Sequence, residues 1–539
     1  MNILGITHPI SFNSSACIIR SDELIAIGEE ERFNRVKHAP RIFPEQSVKF
    51  CLKKANLSPE DIHIVAVGFG DKNFCGGPGS KEMIKRNWDK CLFGLAKLGI
   101  DSCKTRFFSH HLCHMMSTFA AGGHKNWSNI MSIDGAGDDC SGFMANSEGL
   151  FRDLKSSVNC SANTRFPSYI IPCGASWGLL WEDVTELLGF KRHSGEGKTM
   201  GLASYGQEDM RLLPPLFSEN YPNTESFRNF FKSNGWINTR VDPLSDTGKN
   251  LAHTLQQYYN EKLIYYARRL YENTNCKKFS LAGGCALNCT ANGELAKQDF
   301  VKELYIQPLS HDAGTSVGAA IIAYWAENNK LPKARMPHAY WGAEYSHEEI
   351  LSELNKQNIP FKEQDPAKAA AELLADNKVV CFFQGRAEVG PRALGNRSIL
   401  ANPIFKDNLD KVNKIKGRES WRPLAPSILE ESYFDVVDAK FLSPFMLMAA
   451  PVKEYYIEKI PAVVHVDNSC RPQSVNKNTN KIFHKTILEF KKRTGIPVVL
   501  NTSYNLSHEP IVNSPRDAIK TFLSSDADAL VIGDFVVEK

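Results

Sequence analysis

The sequence predicts an α/β chain of two domains, a larger N-terminal one built by internal duplication and a smaller C-terminal one. Three observations carry that prediction. Apolar runs of strand length alternate with helical patterns along the chain. A strand–hairpin order near the N-terminus returns after residue 129. The stretch 328–346 (NNKLPKARMPHAYWGAEYS), with two prolines and few long apolar residues, interrupts the composition and divides the chain into 1–340 and 341–539. The 539 residues allow two to four domains at roughly 100–200 residues each, and bury their cores without disulfide or metal staples.

The elements follow in order. Ile3–Thr7 is a short strand, Ala16–Arg20 and Leu24–Gly28 flank the turn Ser21-Asp22-Glu23, Pro44 opens a helix through Leu57, and Ile62–Phe69 is a further strand. The second copy places a strand at Asn129–Asp134, a turn at Gly135–Gly137, and a hairpin of Gly142–Asn146 with Gly149–Leu154. Two copies of one unit suggest a duplicated domain like those of the actin and sugar-kinase superfamily. A long helix over 251–271 feeds strand Lys278–Leu281, the turn Gly283-Gly284 and a helix over 291–297. Beyond the boundary come helices near 347–357 and 366–376, strand Val379–Gln384 and a loop dense in Gly and Arg. Strand Pro497–Asn501, helix Pro515–Leu523 and strand Ala529–Val537 close the chain.

Composition excludes several classes. Sixty-four Lys+Arg against sixty Asp+Glu give +4, too little for a polyanion-binding surface, so nucleic acid is not an expected partner. Apolar runs such as Val317–Ala326 and Phe445–Val452 fall short of the ~20 residues a membrane span needs. The start MNILGIT lacks the basic and apolar regions of a signal peptide. Fourteen scattered cysteines without a CxxC pair suit reduced thiols. A soluble cytoplasmic enzyme, with no membrane partner, is the expectation.

Four constellations carry chemistry. SHHLCHMMSTFAAG sets His110 and His114 four apart, on one face of a helix. It is like the zinc-peptidase helix without its catalytic Glu, Leu112 and Cys113 standing in the middle. Such a pair alone is more often two helix histidines satisfied by backbone or water. Asp134 after an apolar strand and Asp312 in PLSHDAGTSVGAA add carboxylates, and that donor set suits Fe(II), Mn(II) or Zn(II). In LAGGCALNCTANGEL a strand ends in Gly283-Gly284 before a helix, so backbone N–H groups can approach a phosphate or ribose. EGKTMGLASYG sets Lys198 between glycines, where an anion can be held; the plain alternatives are a tight turn and a solvated lysine. FFQGRAEVGPRALGNRSILANP puts Arg386, Arg392 and Arg397 in one Gly-rich loop with Glu388 and Asn396. Arg422 (SWRPLAP), Arg471 (NSCRPQSV) and Asn501 (VVLNTSYN) stand at the edges of apolar segments. Guanidinium forks bind phosphate or carboxylate bidentately, and several beside Gly, Pro and apolar strands fit an oxyanion pocket better than solvated loops.

In order, EEERFNRVKH, HHLCH, EGKTMGLASYG, LAGGCALN, GPRALGNRS and LNTSYN resemble the bacterial O-carbamoyltransferase family over nearly the whole chain, GPRALGNRS most specifically. The resemblance implies a threonylcarbamoyltransferase-like domain over 1–340 that holds a metal, often iron, and nucleotide. It implies a YrdC-like domain over 341–539 that makes carbamoyl-adenylate from carbamoyl phosphate and ATP with Mg. The carbamoyl group then passes to a hydroxyl of a small-molecule or sugar acceptor. Carried over by residue, the metal ligands are His110, His114, Asp134 and Asp312, and the carbamoyl-phosphate contacts are Arg392, Arg422, Arg471 and Asn501. The nucleotide turn is Gly283, Gly284 and Asn288, with Lys198, Arg386, Asn396 and Arg397 counted beside it as cofactor contacts. Lys37 and Asn13 fall on the acceptor side. Members often carry a His followed by Asp or Asn near the first strand, whereas here Phe12 precedes Asn13, which leaves His8 or His38 to act on the hydroxyl. Two rivals are a tRNA adenosine threonylcarbamoyltransferase, opposed by the charge balance and the Arg-rich C-terminal part, and a non-catalytic actin-like ATP-binding module, opposed by the second pocket.

Overall fold

The first apolar run forms β1 (Asn2–Ile6), and Ser21, in the left-handed region at φ 61°, turns β2 (Ser15–Arg20) back into β3 (Glu23–Glu29). β4 (Ile64–Val67) lies parallel to β1, and β5 (Thr105–Phe107) parallel to β4, giving the order β3-β2-β1-β4-β5. The same plan recurs in β6 (Asn129–Ile133), β7 (Gly142–Asn146), β8 (Tyr169–Ile171), β9 (Lys278–Ala282) and β10 (Glu303–Ile306). Their order is β10-β9-β6-β7-β8, with β6 and β7 antiparallel and β9 parallel to β6. Read from the meander edge, each sheet runs third, second, first, fourth, fifth strand. The duplication is therefore written in the topology. The computed structural model describes the chain except for residues 70–79, 124–127, 138–139, 152–168, 172–174, 214–223, 234 and 236–239.

Helices fix the strands that carry chemistry. α1 (Glu45–Ala55) buries Val48, Cys51, Leu52 and Ala55, a helical stripe that joins Leu4, Ile18 and Val65 in one core. The Glu30 carboxylate accepts the N–H groups of Gln46 and Ser47 at its N-terminus, where Pro44 offers no side-chain cap. α2 (His110–Gly122) is buried along nearly its whole length. α3 (Glu196–Leu202), α4 (Asp246–Thr274) and α5 (Cys289–Lys297) follow, then α6 (Gly314–Asn328), which packs on α2. A Cβ on Gly318 of α6 would stand 1.8 Å from the Cys113 carbonyl oxygen, so only glycine lets the two helices approach this closely. That contact sets the start of α6 against the histidine face of α2.

The chain divides into two compact units, Met1–Glu30 with His38–Pro337, and Glu31–Lys37 with His338–Lys539. The second unit is built on β11 (Lys362–Glu363), β12 (Val380–Phe383), β13 (Arg397–Ala401), β14 (Ala425–Leu429), β17 (Gln473–Val475), β18 (Val498–Ser503), β19 (Ala529–Ile532) and β20 (Phe535–Glu538). Their order is β11-β20-β19-β12-β13-β18-β14-β17, and a separate ribbon pairs β15 (Ala450–Pro451) with β16 (Ser469–Cys470). Alternate residues feed two cores. Val380, Phe382, Leu400 and Val499 pack with α7 (Pro366–Ala375) and α8 (Lys481–Thr494). Cys381, Phe383, Ile399 and Leu500 join Ile519 and Phe522 of α9 (Pro515–Leu523).

Three element expectations change. The partner of β7 is β8, not Gly149–Leu154: residues 149–151 are helical, with the Gly149 N–H on Asn146 Oδ1, and 152–154 lie outside the described residues. The Gly/Arg loop ends at Arg397, where β13 pairs antiparallel with β12. The run Ala529–Val537 splits at Gly533, φ 55°, into the hairpin β19–β20. Among the described residues no helix is long and apolar enough to cross a membrane.

Candidate metal centre and anion pocket

In the first unit, α2 carries His110 and His114 one turn apart, Asp134 follows the last residue of β6, and Asp312 lies two residues before α6. One ligand atom from each of the four falls within 4.8 Å of all the others. His114 Nε2 stands 3.0 Å from Asp134 Oδ2; His110 Nε2 stands 3.6 Å from that oxygen and 3.8 Å from Asp312 Oδ1. Each carboxylate is oriented through its other oxygen, Asp134 Oδ1 by the Gly135 N–H at 2.7 Å and Asp312 Oδ2 by the Phe12 N–H at 2.9 Å. Both ring nitrogens of His114 and Asp134 Oδ2 are buried without a hydrogen bond among the described residues. They approach each other without aligning, as donor atoms do when aimed at a common point. This donor set fits a divalent first-row ion. Burial pushes the His114 imidazole below its usual range. Burial alone would raise Asp134, but the contacts with His110 and His114 outweigh it and hold the carboxyl well below the usual range. His111 lies on the same helix but is engaged elsewhere, by Ser132 Oγ and the Cys140 carbonyl, both at 2.9 Å.

The nucleotide turn divides. Gly283, at φ 85°, passes so close to β6 that a Cβ would meet the Ile133 carbonyl oxygen at 2.3 Å, and a Cβ on Gly284 would lie 3.0 Å from Asp134 Oδ1. The Gly-Gly turn thus borders the metal cluster. Asn288 Oδ1 caps α5 through the Ala291 N–H, and the side-chain amide exchanges two hydrogen bonds with Gln256. Lys198 sits in the first turn of α3 rather than in a glycine loop, its Nζ 5.2 Å from the Phe190 ring centroid. Asn13 Nδ2 meets His38 Nδ1 at 3.1 Å, and the Phe12 ring lies 5.0 Å from His38 and 4.4 Å from His193. His193, unmarked by any motif, is raised by its 2.8 Å contact with Glu182. His8 is buried against Phe69 and Phe107, and burial pushes it down to about 4.

In the second unit, Arg422 and Arg471 stand with two cations that the sequence reading passes over, Arg418 and Lys416, while Arg392 lies in the loop before β13 and Asn501 in β18. Arg418 is pushed down to about 9 by burial and by Arg422 and Arg471. Arg422 is lowered by burial, with Glu419 opposing and Arg471 adding to the shift. Lys416 is buried and donates to Asn505 O at 2.6 Å, Asn505 Oδ1 at 2.7 Å, Ser503 Oγ at 3.0 Å and the Ser503 carbonyl. Burial, then Arg418, Lys37 and Arg422, hold its ammonium well below the lysine range. Lys37, expected beside the acceptor, therefore stands among these cations, in the second unit. The string KGRESWRP was the available signal, a lysine and an arginine just ahead of Arg422.

The Gly/Arg loop is held from inside. Glu388 Oε1 accepts the N–H groups of Leu394, Asn396 and Arg397 at 2.8, 2.7 and 3.1 Å. Asn501 Nδ2 reaches Ala393 O, Ser427 Oγ and Gln473 Oε1, and Gln473 Nε2 reaches Leu394 O. Arg397 is a correction to its expected cofactor role. It is fully buried over the Phe383 ring, 3.6 Å from the centroid, and donates to the carbonyls of Gln384, Asn396, Ala343 and Gly385. Burial pushes it down to about 10. Arg386 donates to the carbonyls of Trp341 and Gly342, while the Asn396 amide bridges Arg386 O and Asn480. These contacts support the loop that presents Arg392. Fixed positive charge dominates the pocket, which suits an anion carrying several charges.

Residues 79–321 match a family model described as carbamoyltransferase N-terminus, and 371–539 one described as carbamoyltransferase C-terminus. The nodulation protein NolNO of Sinorhizobium fredii (strain NBRC 101917 / NGR234) is 34% identical over 569 residues, covering 100% of this chain and 80% of that protein. The 3'-hydroxymethylcephem-O-carbamoyltransferase of Streptomyces clavuligerus is 30% identical over 356 residues, 64% of this chain and 65% of that one. Among solved structures, full-length HypF in the phosphate- and nucleotide-bound form gives a TM-score of 0.37 at 14% identity, over 62% of this chain and 47% of that chain, a likeness too slight to argue from.

Proposed function

The chain belongs to the carbamoyltransferase family, and on that premise we propose that it is an ATP-dependent O-carbamoyltransferase of the cytoplasm. Its donor is carbamoyl phosphate, its intermediate carbamoyl-adenylate, and its acceptor a hydroxyl of a small molecule or sugar. The observation that carries this reading is the group Arg418, Arg422 and Arg471 in the unit that also holds Arg392, where Arg422 and Arg471 lower Arg418 and Arg471 lowers Arg422. In this reading the second unit is a YrdC-like domain, and the first, with its doubled strand order, an actin- and sugar-kinase-like domain.

The chemistry balances in three steps. Water cleaves carbamoyl phosphate to carbamate and inorganic phosphate. A carbamate oxygen takes the α-phosphate of Mg-bound ATP, and pyrophosphate leaves. The acceptor oxygen then takes the carbamoyl carbon, releasing AMP and the hydroxyl proton. Arginine forks suit the phosphate oxygens on which charge collects in the first two steps. His110, His114, Asp134 and Asp312 would hold a divalent ion, iron(II) first and manganese or zinc next, whose Lewis acidity stabilises negative oxygen. Gly283-Gly284 borders that centre and is the turn assigned to nucleotide. A hydroxyl acceptor agrees with the printed name of the Streptomyces relative, and a net charge of +4 favours a small molecule over RNA.

The test needs no acceptor. Protein incubated with labelled carbamoyl phosphate and ATP should release AMP and pyrophosphate only when both are present. Pyrophosphate release indifferent to carbamoyl phosphate would sink the proposal.

A further inference from the structure

Four histidines of the first unit outside the metal set differ in which ring nitrogen keeps a lone pair. His8 Nδ1 accepts the Ile10 N–H at 3.2 Å, and His311 Nδ1 the Ala313 N–H at 3.3 Å. His38 Nδ1 faces the Asn13 amide nitrogen at 3.1 Å, and that nitrogen only donates. A neutral imidazole has one acceptor nitrogen, so in these three rings it is occupied and Nε2 carries the proton. His193 is the reverse. Its Nδ1 stands 2.8 Å from Glu182 Oε1, and a carboxylate oxygen only accepts, so Nδ1 carries the proton and Nε2 the lone pair. The His193 side chain is 41% exposed, within reach of a molecule from solution.

The position is held on every side. His193 has a left-handed backbone, φ 60°, uncommon for a residue other than glycine, and Glu196 Oε1 accepts its N–H at 2.7 Å. Glu182, on the helix Trp177–Leu187, is fixed in turn by Arg192 Nη2 on its Oε2 at 3.0 Å. The pair also borders both peptides that orient the metal carboxylates. Glu182 Oε1 lies 3.7 Å from where Gly135 would carry a Cβ, and the Gly135 N–H holds Asp134. The His193 ring lies 4.4 Å from that of Phe12, whose N–H holds Asp312.

Resting on the function proposed above, we propose that His193 is the base that takes the acceptor's proton during carbamoyl transfer, with Glu182 as its positioning residue. The acceptor O–H bond breaks and its proton goes to His193 Nε2. The freed oxygen bonds to the carbamoyl carbon, and the bond from that carbon to the AMP oxygen breaks. Glu182 keeps the tautomer that offers Nε2 and stabilises the imidazolium that results. The contact with Glu182 raises the ring's affinity for a proton; burial and Arg192 oppose, Glu196 adds to the rise, and His38 lies across Phe12.

The experiment gives the full chain labelled carbamoyl phosphate, ATP and one of three small acceptors, methanol, glycerol or trifluoroethanol, and measures the carbamate ester. His193→Gly and His193→Asn both suit a left-handed backbone, so each should melt like wild type. Ester formation should fall roughly 10²–10⁴-fold in both. Added imidazole should restore part of it in His193→Gly. Glu182→Gln should slow transfer and move the acid limb of its pH profile to lower pH, because the contact that raises His193 is gone. An unchanged rate in a folded variant, a loss that imidazole does not relieve, or an acid limb that Glu182→Gln leaves in place would overturn the inference. So would wild type that makes AMP from carbamoyl phosphate and ATP yet no ester from any of the three alcohols, since an open base activates small hydroxyls. Wild type without pyrophosphate exchange dependent on carbamoyl phosphate is a separate result, which removes the parent reading and this one together.

Discussion

At the candidate metal centre, one ligand atom from each of His110, His114, Asp134 and Asp312 lies within 4.8 Å of the other three. In the second unit, Arg418, Arg422 and Arg471 do the reverse, spreading fixed positive charge so that Arg418 and Arg422 are depressed by their neighbours. In the proposed reading the first set takes a cation and the second an anion. The supports differ as well. The metal side chains stand at the ends of β6, α2 and α6, rigid elements held by the α2–α6 contact at Gly318. The arginine pocket depends on a loop whose shape comes from its own buried charges, Glu388 and Arg397. Damage to the pocket should therefore reach stability as well as binding.

The largest effect follows from that difference. Arg397→Ala leaves four carbonyls without their donor and removes a positive charge that interacts with the buried Glu388 carboxylate, so denaturant unfolding should show a loss of about 3–5 kcal/mol. Arg397→Lys should recover little, since an ammonium cannot reach four carbonyls or stack on Phe383. Next, His110→Ala should yield folded protein with little bound metal by elemental analysis, and carbamoyl transfer reduced roughly 10²–10³-fold, about 2.7–4 kcal/mol of transition-state stabilisation. Full metal content at full activity would return His110 to an ordinary helix histidine. Arg392→Lys keeps charge and loses the fork. Calorimetry should show carbamoyl phosphate bound about 1.5–3 kcal/mol more weakly, and equal affinity would place Arg392 outside the site.

The most gradual effect, read as a slope against pH, isolates an acid-sensitive group outside the metal set. His8 sits at about 4 in the fold against 6.5 unfolded, so the folded chain resists the proton that the unfolded chain accepts. Its contribution is whole above pH 6.5, declines as pH falls from 6.5 towards 4, and is constant below. His8→Gln should flatten the stability–pH curve in that window by at most about 1.4 kcal/mol per pH unit. Parallel curves for the two proteins would show that His8 does not titrate this way.

The metal cluster was legible in the sequence because each member occupies a position that secondary structure dictates: a helical i, i+4 pair, the residue after a strand, a residue just before a helix. The strand–hairpin repeat was legible for the same reason. Arg392 and Arg397 show where such reading stops. They lie in one motif with one charge, yet Arg397 begins β13 and is buried on Phe383 while Arg392 belongs to the turn before it. Lys416 is a lysine in a polar string, and only its four acceptors at Ser503 and Asn505, 87 and 89 residues on, make it a buried strut. The edge strand Tyr169–Ile171 has three residues, too few for a period to declare itself.

The central claim is that opposite charge in the two sites serves two successive steps, and quenched-flow kinetics on Arg392→Ala and Asp312→Ala tests it most directly. Wild type and both variants would be mixed with carbamoyl phosphate and ATP, or with supplied carbamoyl-adenylate, while AMP, adenylate and carbamoylated sugar acceptors are followed. The account predicts that Arg392→Ala forms no carbamoyl-adenylate but still transfers the supplied intermediate, and that Asp312→Ala accumulates adenylate and fails to transfer it. Loss of the same step in both variants would contradict it.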